Sequence, residues 1–359
     1  MTGGCLGAGP VSGFEIQVSI FYNGGICWQI VLPECSVIPM TDRVLLTGAT
    51  GFIGSRAFGG LKQDGWSVTC LTRDLEKAHR TWPDREWACA NAEDGEALAR
   101  AMDGCRVAFY LIHGMGALHP GWVEREVATA DHFAQAAARA GVERIVYLGG
   151  VAPAGRPSPH LQARLETGKA LRAGSVPCME LRAAMIVGAG SASWTIVRDL
   201  AARLPAMVLP AWLSHRSEPV AVDDVVSALV CAARMPLPTS DLWDLPGPEA
   251  LSGVDILLRV AACMGHRPLL LHVPFVTPKL SSHWIRLVTR TDHRLAAELV
   301  EGLTSDLLAS HPGFWAAAGL PNPMCLEEAA AKALAADADQ LSGGARLLES
   351  LAGMLMRRA

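Results

Sequence analysis

One glycine-spaced stretch constrains the fold of this chain more than any other feature. A short strand-like run, Val44 to Thr47, leads into Gly48-Ala49-Thr50-Gly51-Phe52-Ile53-Gly54, and a helix is expected from Ser55 to Gln63. Glycines at this spacing permit a tight strand-to-helix turn, let the backbone approach a pyrophosphate, and allow the helix to pack closely on the strand. Phosphates then lie at a helix N-terminus, where unpaired N–H groups and the helix dipole favour negative charge. A glycine pattern alone is weak evidence. Here a strand precedes it, a helix follows, and a second strand is expected at Ser67 to Leu71, which is the context such a site needs.

The end of that second strand reads Thr72-Arg73-Asp74. An acidic residue there accepts from a free ribose 2′-hydroxyl, and an Arg accommodates a 2′-phosphate. Arg73 therefore points to NADP, while Asp74 leaves NAD open; the competing reading of Arg73 is a solvated loop cation. Further strands are expected at Val107 to Ile112, Arg144 to Leu148 and Cys178 to Val187, and Val123, Val127, Ala130, Ala134 and Ala137 recur at helical spacing. Near-continuous apolar strands suit a parallel sheet covered on both faces. The fold class is α/β, a Rossmann-type doubly wound parallel sheet over residues 40–190, with a smaller mixed α/β C-terminal lobe over 191–359 that ends helix-rich from Leu326. Short strands are expected in that lobe at Pro219 to Val222, Leu242 to Leu245 and Leu269 to Val273.

Composition excludes several classes. The chain has 359 residues, half of them apolar, and a net charge of −4. No basic surplus exists to displace counterions from nucleic acid, and the apolar content argues against disorder. Ten Cys are scattered from Cys5 to Cys325 without a C-x-x-C pair, which suits reduced thiols in a cytoplasmic protein. No uninterrupted apolar run is long enough to span a membrane. Residues 1–39 differ from the rest, with Glu15 and Glu34 as their only charges. Two readings stand: a leader upstream of a natural start at Met40, or an added strand pair, Glu15 to Tyr22 and Ile26 to Leu32.

The sequence resembles the atypical short-chain dehydrogenase/reductase superfamily, in the branch of NAD(P)H-binding proteins that includes NmrA-like regulators and a Rossmann accessory subunit of respiratory complex I. The resemblance is carried by Thr47 to Gly54, by Ala137 to Gly150, and by Leu181-Arg182-Ala183. It continues in Leu280-Ser281-Ser282-His283-Trp284, Leu287-Val288-Thr289 and Leu299-Val300-Glu301-Gly302-Leu303, a pattern shared with a bacterial subgroup. It implies that Gly48, Ala49, Thr50, Gly51, Phe52, Ile53 and Gly54 form the pyrophosphate loop and that Arg73 holds the adenosine ribose. Asn91 and Ala92 would meet the adenine, with Asn91 standing where most relatives carry Asp; Leu111, Ile112 and His113 would lie along the inner ribose.

Reductases of this superfamily generally use a Tyr-x-x-x-Lys pair, the Lys lowering the phenol pKa so that it exchanges a proton near neutral pH. This chain has three tyrosines, Tyr22, Tyr110 and Tyr147, followed four residues later by Ile26, Gly114 and Val151. None makes the pair. On the helix after Gly149-Gly150 stands His160-Leu161-Gln162-Ala163-Arg164, and Gly replaces the partner Ser. Residues at i and i+4 share a helix face, so His160 is a candidate proton donor and Arg164 a candidate for the cofactor ribose and phosphate. In the competing reading His160 is a polar helix-start residue. An adjacent Arg disfavours imidazolium unless a carboxylate such as Glu166 offsets it.

Other features carry less. Gly188-Ala189-Gly190-Ser191-Ala192-Ser193 mimics a second phosphate loop, but a turn with Ser191 or Ser193 as N-cap of a helix Trp194 to Arg203 explains it. Asp223-Asp224 open a helix Val225 to Ala233 and read as capping. No metal-ligand cluster or serine-hydrolase elbow occurs. His283-Trp284 with Arg286 either line a substrate cleft or pack the lobe, and the cationic end Leu347 to Arg358 either packs, dimerises or touches a membrane surface. Two functions follow: an NAD(P)-dependent oxidoreductase acting on an unidentified small carbonyl or quinone-like compound, or a non-catalytic NAD(P)H-binding sensor or assembly factor.

Overall fold

Val44, Leu45 and Leu46 are wholly buried, so the first strand, β1 (Arg43–Leu46), is covered on both faces, as a central strand of a parallel sheet must be. The computed structural model describes residues 42–112, 121–203, 206–209, 211–265, 267–272 and 305–340. The chain divides into two units, Met1–Met40 and Thr41–Ala359; the expected leader lies outside the described residues.

After β1 come α1 (Phe52–Gln63), β2 (Ser67–Thr72), α2 (Leu75–Thr81), β3 (Glu86–Cys89), α3 (Gly95–Ala101), β4 (Val107–Tyr110), α4 (Trp122–Arg139), β5 (Arg144–Gly150), α5 (Pro159–Ala173) and β6 (Cys178–Ala183). The described remainder holds β7 (Ile186–Val187), α6 (Ala192–Arg203), β8 (Ala206–Leu209), β9 (Arg216–Ser217), β10 (Val220–Ala221), α7 (Val222–Arg234), β11 (Asp241–Asp244), β12 (Leu251–Ser252), α8 (Gly253–Cys263), β13 (Leu269–His272), α9 (Phe314–Ala317) and α10 (Leu326–Gln340).

Seven strands form one sheet in the order β11-β6-β5-β4-β1-β2-β3, and every pairing in it is parallel. The chain builds outward from β1 to β3 and then returns to lay β4 on the other side of β1. Strand order thus reverses between β1 and β4, the place where open α/β sheets bind ligands beyond their carboxyl ends. Alternation along β1 serves both faces: Val44 and Leu46 pack with Ala57 and Leu61 of α1 and Val225 and Ala228 of α7, while Leu45 packs with Leu98, Ala130, Phe133 and Leu171 of α3, α4 and α5. A separate core of Trp194, Leu200, Leu257, Val260 and Ala330 packs α6, α8 and α10 together.

Several boundaries differ from expectation. The single strand expected over Cys178 to Val187 is two, because β6 leaves the main sheet after Ala183 and β7 pairs with β10. Helix α1 begins at Phe52 rather than Ser55, β4 ends at Tyr110, and the edge strand β3 carries no alternation that would announce it. Both α7 and β11 come from beyond residue 190 yet belong to the Rossmann layers. Asp223 and Asp224 do not cap α7, whose N-cap is Ala221 without a side-chain bond. Asp224 instead accepts from Met324 N at 2.8 Å, and Asp223 pairs with Lys332 at 3.0 Å, so the two tie α7 to α10 and the segment before it. Ser191 does accept from Trp194 N, at 3.4 Å, as an N-cap of α6.

Candidate functional site

The loop between β1 and α1 is shaped by close backbone approach. Gly48 has φ +63°, and a Cβ on it would lie 2.3 Å from Leu111 O. A Cβ on Gly54 would lie 2.2 Å from Gly48 O, so the first turn of α1 sits directly on the loop. Thr47 joins the two central strands: its Oγ1 donates to Phe109 O at 2.8 Å and accepts from Leu111 N at 2.9 Å. Leu111 and Ile112 are thereby held beside Gly48, across the crevice where strand order reverses. His113 lies outside the described residues.

Gly51 N is bonded to Gly48 O and Ser55 N to Gly51 O. Among the described residues no acceptor engages the N–H groups of Phe52, Ile53 and Gly54. Helix α1 has no side-chain cap and no acidic residue in its first turn. Three orphan donors at a positive helix end, beside glycines that keep side chains out, form a cradle suited to a pyrophosphate. The residues present fit a dinucleotide.

At the carboxyl end of β2, Arg73 is exposed and makes no ion pair among the described residues. The Asp74 side chain accepts from Lys77 N at 2.9 Å through Oδ1 as the N-cap of α2. Asn91 follows β3 in a tight turn, its Oδ1 accepting from Glu93 N at 3.4 Å and its O from Asp94 N at 3.0 Å. Ala92 beside it is half-buried.

Two arginines that sequence reading passed over grip the loop. Arg56 donates to Phe52 O at 2.9 Å and to Ala189 O at 2.6 Å, with its guanidinium 4.5 Å from the Phe52 ring centroid. Arg85 donates to Ala49 O at 2.8 Å. The i to i+4 spacing from Phe52 is the only local signal for Arg56; nothing in the sequence around Arg85 connects it to Ala49.

His160 and Arg164 lie on the first turns of α5, whose N-cap is Ser158. The His160 ring stacks on Trp122, centroids 6.2 Å apart and planes 9° from parallel. Burial first, and the Arg164 charge second, push the imidazole down to about 4. Glu166 does not offset this, because its Oε1 accepts from Gln162 Nε2 at 2.6 Å and Lys169 Nζ at 2.8 Å. His160 is therefore neutral near pH 7. Arg164 folds back on the end of β5, donating to Leu148 O at 3.1 Å and Gly149 O at 3.4 Å, while its carbonyl accepts from Tyr147 Oη at 2.9 Å. The glycine pair at this strand end has a steric reason: a Cβ on Gly150 would lie 2.7 Å from Leu161 Cδ1, and one on Gly149 2.9 Å from Glu180 Oε1. Burial raises the pKa of both Tyr110 and Tyr147, so neither phenol is placed to exchange a proton.

The segment that includes His283, Trp284 and Arg286, and the cationic end from Leu347 to Arg358, fall outside the described residues. No helix among the described residues is long and apolar enough to cross a membrane.

A protein family described as NAD(P)H-binding matches residues 48–202. A ceramide reductase of Caulobacter vibrioides is 30% identical over 240 residues, covering 64% of this chain and 73% of that protein. Among solved structures, the Citrobacter sp. triphenylmethane reductase complexed with NADP(H) shares the fold at a TM-score of 0.64 and 17% identity, over 81% of this chain and 99% of that one. An NADPH-dependent quinone oxidoreductase of Escherichia coli does so at a TM-score of 0.61 and 17% identity, over 80% and 98%.

Proposed function

This chain belongs to the NAD(P)H-binding, atypical short-chain dehydrogenase/reductase superfamily, and from that premise we propose that it is an NADPH-preferring reductase of an unidentified small carbonyl or quinone-like compound. The observation that carries the reading is the cradle of Phe52, Ile53 and Gly54 N–H groups at the switch point of the sheet. These donors hold the pyrophosphate, and Leu111 and Ile112 flank the inner ribose across the crevice. Arg73 favours a 2′-phosphate, and Asp74 has its Oδ1 engaged as the cap of α2. The names of the similar proteins, a ceramide reductase and a quinone oxidoreductase, support an oxygen-bearing, reducible substrate.

The dinucleotide supplies hydride when bound. What the chain adds differs from the usual arrangement, because a buried phenol takes no part and a neutral His160 donates a hydrogen bond without releasing a proton as imidazolium. Arg164, fixed on the carbonyls of Leu148 and Gly149, offers a permanent positive charge to an oxygen gaining negative charge; solvent completes the protonation. The second reading, a redox sensor that binds without turnover, is favoured by the same burial of Tyr110 and Tyr147.

The test measures NADPH and NADH binding by fluorescence and oxidation of NADPH across a panel of small ketones, aldehydes and quinones, for the natural protein and for Arg164→Met. Binding with turnover that Arg164→Met lowers at least tenfold supports the reductase. Tight binding with no oxidation of NADPH across the panel supports the sensor and overturns turnover.

A further inference from the structure

Arg85 is a half-buried cation behind the phosphate loop. It leaves the turn between α2 and β3 and reaches up under the loop, where its guanidinium donates to Ala49 O at 2.8 Å. The group lies between two rings, 4.4 Å from the Phe58 centroid and 5.3 Å from that of Trp82. Its Nε is buried and has no hydrogen-bond partner among the described residues. The neighbouring carboxylates do not neutralise it: Asp84 is exposed, and Glu86 is held by Arg43 and by Thr69 Oγ1 at 3.2 Å. Aromatic faces stabilise a guanidinium without cancelling its charge, and a fork between two rings loses little freedom on binding a carbonyl.

Such a cation is costly to hold unpaired in a partly desolvated place. Its position tells what completes it. Arg85 stands just before β3 and reaches Ala49 O, and Arg73 follows β2, the strand that lies between β3 and β1 in the sheet. Arg56 sits on the other flank, bonded to Phe52 O and Ala189 O.

Resting on the NADPH reading above, we propose that Arg85 is a specificity-determining positioning residue: it sets the Ala49 carbonyl and adds a fixed positive charge beneath the adenosine-phosphate end of the cradle, favouring the dinucleotide that carries a 2′-phosphate. The extra phosphate brings about two further negative charges, so a cation on this side acts more strongly on NADPH than on NADH. The field is partly screened by salt, so the preference weakens as ionic strength rises.

The experiment titrates NADPH and NADH separately onto the natural protein, Arg85→Met, Arg85→Lys and Arg234→Met, at low and high salt, with thermal unfolding recorded for each. Arg234 serves as the control, because it also stacks on an indole, 4.5 Å from the Trp66 centroid, but lies at the opposite end of the sheet among carboxylates. Arg85→Met is expected to weaken NADPH about tenfold and NADH about threefold or less, to flatten the salt dependence of the ratio, and Arg85→Lys to recover most of the ratio. Equal weakening of both dinucleotides, with no change in salt dependence, would mean that Arg85 only braces the loop and overturns the proposal. If Arg85→Met does not fold, the lysine variant decides alone: an NADPH-to-NADH ratio close to natural supports the charge, and a collapsed ratio overturns it. Failure of the natural protein to bind either dinucleotide would instead remove the cofactor reading on which the proposal stands.

Discussion

Thr47 is fully buried at the carboxyl end of β1, and its hydroxyl is both donor and acceptor between two central strands. Thr47→Val keeps the shape and leaves the Leu111 N–H without its acceptor. We expect a loss of about 1–3 kcal/mol in urea denaturation, together with weaker dinucleotide binding because Leu111 lines the crevice. His160 makes a different prediction. With a pKa near 4 in the folded chain against about 6.5 unfolded, the unfolded state takes up a proton between those values that the folded state refuses. Stability from this group is present above pH 6.5 and is lost progressively towards pH 4, by about 3 kcal/mol at most. His160→Gln should flatten the stability profile in that window. It should leave no ionisation near pH 6 to 7 missing from the rate profile, and a limb in that range that vanishes in the variant would overturn the neutral assignment. The i, i+4 pairing of His160 with Arg164 was legible in the sequence. The stacking of His160 on Trp122, a residue 38 positions away on α4, was not, since that contact exists only when α4 and α5 lie side by side.

At the scale of the element, α1 contains glycines with opposite roles. Gly54→Ala would drive a methyl to 2.2 Å from Gly48 O, whereas a Cβ at Gly59 meets nothing within 4 Å. Gly59→Ala should therefore stabilise the protein by about 0.5–1 kcal/mol through the ordinary helix preference of alanine. Gly54→Ala should lower the melting temperature and weaken NADPH at least tenfold by pushing the helix off the loop. Comparable behaviour of the two variants would show that the loop is slack. This element was readable because its strand, turn and helix are contiguous. Helix α7 was readable as a helix but not in its role: the acidic pair at its start looked like caps, and caps are local. Its carboxylates are instead engaged by Met324 N and Lys332, partners about a hundred residues away.

At the scale of the whole molecule, residues 305–311 cross the carboxyl ends of the strands and close the architecture. Ala154 N reaches Asp306 O at 3.0 Å, Leu307 N reaches Arg216 O at 2.8 Å, and Asp244 N reaches His311 O at 2.8 Å. The anchor is Asp244, wholly buried, with Oδ1 on Arg182 Nε at 2.7 Å and Oδ2 accepting from Ser310 N at 2.7 Å and His311 N at 2.9 Å. Burial alone would raise its pKa, but Arg182 and these N–H groups outweigh burial and lower it. Asp244→Ala leaves Arg182 buried without its partner and should cost about 3–5 kcal/mol, with faster proteolysis near residues 305–311 than near α1. In the natural protein the Asp244 contribution is present above the usual carboxylate range and is lost only as pH falls through its lowered pKa. The sequence by itself determined the first βα turn, the near-continuous apolar run that suits a strand covered on both faces, and the absence of a Tyr-x-x-x-Lys pair, because each is a matter of neighbours along the chain. The tertiary structure alone decided that Asp244 and Arg182 bind the returning segment and that Arg85 stands behind Ala49. Those partners are 36 or more residues apart, and only packing of the sheet brings them within hydrogen-bond reach.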